Sequence, residues 1–76
     1  MRTFVAFGFG SVHDTLHAEA ALSAAGVRAV TIPSPRELGE LCGIALRVVP
    51  EDAPAAEMAL TGAGANVLTR AEITDF

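Results

Sequence analysis

Glycine and proline cut this chain of 76 residues into six short segments, and the order of their patterns is what limits the fold. Thr3 to Phe9 favours a strand and is bounded by Gly8 and Gly10. Ser11 then supplies a helix N-cap, with Asp14 in the first turn, and the alanine-rich run Val12 to Ala25 predicts a helix that Gly26 stops. Val27 to Ile32 reads as a second strand closed by Pro33. The segment Pro33 to Cys42 reads as a loop with one helical turn over Arg36 to Leu41. Gly43 to Val49 alternates as a third strand, with Ile44, Leu46 and Val48 on one face and Ala45, Arg47 and Val49 on the other. Pro50 ends it, Glu51 and Asp52 suit the start of a second helix running to about Thr61, and Gly62 and Gly64 end that helix. Val67 to Thr69 predicts a short last strand, and Arg70 to Phe76 a docked tail.

The order βαββαβ points to an α+β domain spanning residues 1–76. It predicts a ferredoxin-like sandwich with a four-stranded antiparallel sheet and both helices on one face. Strand one is apolar on both sides, with Phe4 and Ala6 against Val5, Phe7 and Phe9. An open apolar sheet face in so small a chain is expected to be covered, so a homodimer through that face is predicted.

Charge then removes several functions. Five Arg and no Lys oppose nine acids, leaving a net charge of −4. Nucleic acid needs a basic face, and with four Phe, no Tyr and no Trp there is little for bases to stack on. No apolar run approaches the roughly 20 residues of a membrane span. The N-terminal run is broken by glycine, so it reads as a strand and not a signal peptide. A cytoplasmic protein with a reduced thiol is the expectation.

That thiol is Cys42, the single cysteine, followed by Gly43. It cannot form an intramolecular disulfide, so either packing or chemistry accounts for it. Gly43 permits close approach of a ligand or backbone. Arg36 and Arg47, read functionally, favour the thiolate; read structurally, they are surface charges paired with Glu37 or Glu40. A helical turn ending before Cys42 would act in the opposite sense through its C-terminal dipole. Gly8-Phe9-Gly10 lacks the third glycine of a dinucleotide loop, since His13 stands there, but the start of the first helix offers free backbone N–H groups to an anion. His13 and His17, four residues apart, could join Cys42 as metal ligands, although no HExxH pattern accompanies them.

Gly10-Ser11-Val12-His13, Ala18-Glu19, Ala25-Gly26-Val27, Ile32-Pro33-Ser34-Pro35-Arg36-Glu37-Leu38 and Cys42-Gly43-Ile44-Ala45-Leu46-Arg47 occur in one order. The set resembles the family of small bacterial selenium/sulfur carrier-like proteins, over about Val5 to Asp52. Members usually carry small polar residues just before the cysteine, where this chain has Gly39, Glu40 and Leu41. The resemblance implies a carrier that holds a persulfide or selenopersulfide on Cys42. Gly43, Ser11, Arg36, Arg47 and His13 would steady its anionic outer atom, and no cofactor is needed. The implied partners are a donor such as a cysteine desulfurase and an acceptor protein. Two other readings compete: a small dimeric ligand-binding or regulatory module in which Cys42 is structural, and a metal-binding protein using Cys42, His13 and His17.

Overall fold

A computed structural model describes residues 2–39 and 43–75. Its elements are β1 (Arg2–Gly8), α1 (Val12–Ala24), β2 (Val30–Pro33), a 3-10 turn η1 (Arg36–Leu38), β3 (Ile44–Val48), a 3-10 turn η2 (Pro50–Asp52), α2 (Ala53–Gly62) and β4 (Thr69–Asp75). The sheet runs β2-β3-β1-β4 with every neighbouring pair antiparallel. β1 and β2 are therefore parallel strands split by β3, and β3 and β4 are parallel strands split by β1. The fold is α+β and consistent with the ferredoxin-like arrangement.

Alternation along the strands assigns the two faces. Val5 and Phe7 of β1 stand opposite Val48 and Leu46 of β3. With Phe9 they bury against Ala18 and Leu22 of α1 and against Ala53, Ala56 and Leu60 of α2. Both helices thus cover one face. Ala18 and Ala56 are fully buried, and side chains this small let each helix lie close to the sheet. Thr31 adds a tie on the same side, its hydroxyl donating to Glu19 of α1 at 2.9 Å.

Both helices end in the same way. The N–H of Gly26 bonds to Ser23 C=O and that of Val27 to Leu22 C=O. Gly64 to Thr61 and Ala65 to Leu60 repeat the pattern. These are Schellman caps, in which the residue after the glycine packs back on the helix. The cap corrects one boundary: Val27 is buried as part of the end of α1, and β2 begins at Val30 instead of Val27.

The last strand is a second correction. Residues 67 and 68 form the approach, and β4 occupies Thr69–Asp75, most of the segment expected to be a tail. It pairs with β1 along its whole length, from Arg2 opposite Asp75 to Gly8 opposite Thr69. The segment is polar because β4 is an edge strand: Ala71 and Ile73 point to one face, while Arg70 and Glu72 alternate with them.

The face away from the helices carries Phe4, Ala6, Ala45 and Ile73, all buried. The loop after β2 passes beneath it and inserts Leu38, while the guanidiniums of Arg47 and Arg2 lie 3.9 and 5.4 Å from the centre of the Phe4 ring. The expected second copy rested on this face being open and apolar; the chain covers much of it with its own side chains. Among the described residues, no helix is long and apolar enough to cross a membrane.

Candidate functional site

Cys42 lies outside the described residues, as do Glu40 and Leu41, so the site is built from the frame on either side of it. β2 ends at Pro33 opposite Ile44. One further rung closes the stem: the Ser34 N–H donates to the Gly43 carbonyl at 2.9 Å. Pro35 then starts η1, with Leu38 N–H bonded to Pro35 C=O and Gly39 N–H to Arg36 C=O. Leu38 is 6% exposed and anchors the loop to Phe4, Ala6, Ala45 and Ile73. Arg36 and Glu37 on the same turn are exposed to solvent.

Two glycines bracket the Cys42 segment. Gly39 has φ 78° and Gly43 has φ 94°. Residues other than glycine rarely take such angles, so the backbone conformations at 39 and 43 both depend on glycine. Among the described residues, chain neighbours aside, nothing lies within 4 Å of where a Cβ would stand at either position; the requirement is conformational, not one of space.

The antiparallel register decides which other residues share this end of the sheet. Gly8, the last residue of β1, stands opposite Ala45, near the start of β3. The turn from β1 into α1 therefore rises beside the Ser34–Gly43 stem. Ser11 caps α1, its hydroxyl accepting the Asp14 N–H at 3.0 Å and its carbonyl accepting the Thr15 hydroxyl at 2.9 Å. His13 is exposed in the first turn. The start of α1, with Ser11 and His13, and Gly43 thus lie toward one end of the sheet, whereas η1 carries Leu38 onto Phe4 and Ile73 on the face away from the helices.

Arg47 goes elsewhere. It lies four residues along from Gly43, about 13 Å at strand rise. Its guanidinium is stacked on Phe4, in the direction away from that end. His17 also has a local occupation: Nε2 lies 3.3 Å from the Ala63 carbonyl at the end of α2. A carbonyl only accepts, so Nε2 carries the proton there. Among the described residues no group of three His, Cys, Asp or Glu could hold a metal ion.

Ser34 is the residue that sequence reasoning passed over, as the middle of a Pro-Ser-Pro turn. Its Oγ is buried and has no hydrogen-bond partner among the described residues. Buried hydroxyls are normally satisfied, so one left open on the stem next to Gly43 marks a place for a partner.

Comparison with known proteins adds one positive result. The family model described as "Putative Se/S carrier protein-like" matches residues 5–70. No curated protein and no solved structure matches the chain.

Proposed function

Because the chain belongs to the Se/S carrier-like family, we propose that it carries a sulfur or selenium atom on Cys42 between a donor protein and an acceptor protein. The observation that carries this reading is the reach of the family match, which runs from β1 through the Cys42 segment to the start of β4.

The chemistry is thiol exchange. The Cys42 thiolate attacks the outer sulfur of a donor persulfide R–S–S–H. A new S–S bond forms, the donor's own S–S bond breaks, and the donor leaves as its thiolate R–S⁻. A donor R–S–Se–H delivers selenium in the same way. An acceptor thiolate then attacks the outer atom and releases the Cys42 thiolate. No electrons enter or leave in either step. The chain has one cysteine, so no internal thiol competes by closing a disulfide on the loaded group. A donor such as a cysteine desulfurase supplies the first partner.

The outer atom of the loaded group is anionic or an acceptor, and it needs donors. The Gly43 N–H, the Ser11 end of α1, His13 and Arg36 of the η1 loop are the candidates. The open Ser34 hydroxyl is a further one, and it takes the place of the small polar residues that do not precede Cys42 in this chain. Arg47, occupied at Phe4, is given no part in this step.

A carrier thiol must be reachable by another protein. Native alkylation with iodoacetamide, followed by mass spectrometry, tests this. Labelling of the folded protein at a rate close to that of the denatured chain is expected. Labelling only upon denaturation would make Cys42 a core residue and overturn the reading.

A further inference from the structure

Three of the chain's five arginines converge on a place the carrier reading does not use. Arg2, Arg28 and Arg47 line one cleft of about 310 Å³, with Phe4 and Val30 as its apolar part and Asp52 among its lining residues. These arginines come from the start of β1, the approach to β2 and the middle of β3. None of the three makes an ion pair among the described residues, whereas Arg70 is held by Glu57 at 3.0 Å. With three arginines against Asp52 in its lining, the cleft concentrates positive charge in a chain whose net charge is −4, which favours an anion there.

Two details give the cleft a built character. The Nε of Arg47 is buried and without a hydrogen-bond partner among the described residues. The Phe4 ring takes one face of that guanidinium at 3.9 Å and faces Arg2 at 5.4 Å. Guanidinium donors lie in the plane of the group, so stacking fixes its position while leaving the N–H fork to a ligand. An oxyanion accepting from Nε–H and a neighbouring Nη–H would satisfy the buried donor.

We propose that this cleft binds a small doubly charged tetrahedral oxyanion, free or carried as a phosphomonoester, at a site separate from Cys42. Asp52 is the opposing charge in the lining, and it leaves the cleft net positive. Asp75 stands opposite Arg2 in the strand register.

The test is a titration of the full chain with inorganic phosphate at fixed ionic strength, following the arginine Nε–H resonances by NMR. A saturable shift of the Arg47 and Arg28 signals, with Arg36 unmoved, is expected. Arg28→Gln alters an exposed side chain and should keep the fold while weakening binding by about tenfold, the value of one lost charged contact. Asp52→Asn should tighten it. Glycerol 3-phosphate forms the second arm: tighter binding than phosphate assigns a phosphomonoester, and equal binding a free oxyanion. Drift of all arginine signals together without saturation, or an Arg28→Gln protein that binds as wild type, would overturn the proposal.

Discussion

The backbone N–H of Ser34 donates to the carbonyl of Gly43 over 2.9 Å, so the two residues that flank the Pro35–Cys42 loop are held side by side. This rung extends the β2–β3 ladder one step beyond Pro33 and Ile44, and it turns a Pro-rich connection into a closed stem. The consequences can be measured residue by residue.

Gly43 holds φ 94° at the end of that stem. Gly43→Ala places a Cβ in a conformation that costs about 1–2 kcal/mol. Among the described residues, chain neighbours aside, no atom crowds the position, so the expected penalty is that backbone strain. A urea denaturation midpoint lowered in proportion to that loss is expected; an unchanged midpoint would mean that the loop relaxes without resistance.

Leu38 is the loop's anchor. Leu38→Ala removes a buried side chain from the cluster with Phe4, Ala6, Ala45 and Ile73, at a cost of about 2–4 kcal/mol. Hydrogen exchange at the amides of Leu38 and Gly39 should accelerate more than that at Val5 or Phe7. Uniform acceleration over the sheet would contradict a local anchoring role.

Ser34→Ala separates stability from chemistry. The wild-type hydroxyl is buried and has no partner among the described residues, so its removal strands none of them, and the change in stability should stay within about 0.5 kcal/mol. The carrier reading expects the loaded group on Cys42 to be discharged faster by a small thiol in this variant. A destabilisation of about 2 kcal/mol instead would show that the hydroxyl already has a structural partner.

The ion pair between Arg70 and Glu57 joins β4 to α2, but its side chains are 43% and 48% exposed. Glu57→Gln should therefore change stability by less than about 1 kcal/mol, and the effect should shrink in high salt. A larger, salt-insensitive loss would assign β4 docking to this pair instead of to Ile73 and the ladder with β1.

Much of this architecture was legible in the sequence, because local chemistry and tertiary structure agree. Ser11 caps the helix that its position announces, and the alternation in β3 puts Leu46 and Val48 on the helix side and Ala45 on the other. The family resemblance, read from about Val5 to Asp52, is matched by the family model over residues 5–70. What escaped has a common cause. An edge strand needs apolar residues on one side only, so the polar run of β4 reads as a tail until its register with β1 is known. The covering of the second sheet face depends on Leu38, a residue whose loop position gives no periodic signal. Arg2, Arg28 and Arg47 are far apart in sequence, and only the sheet order brings them to one cleft. Ser34 looked like turn chemistry, and its open hydroxyl is visible only once its burial is known.

The central claim concerns Cys42, and loading is its most direct measure. The purified protein is incubated with a cysteine desulfurase and cysteine, with and without selenide, beside a Cys42→Ala variant, and intact masses are recorded before and after reductant. The account predicts the addition of one sulfur or selenium atom on wild type, removed by reductant, and none on Cys42→Ala. An unchanged mass under conditions that load a known persulfide acceptor, or the same gain on Cys42→Ala, would contradict it.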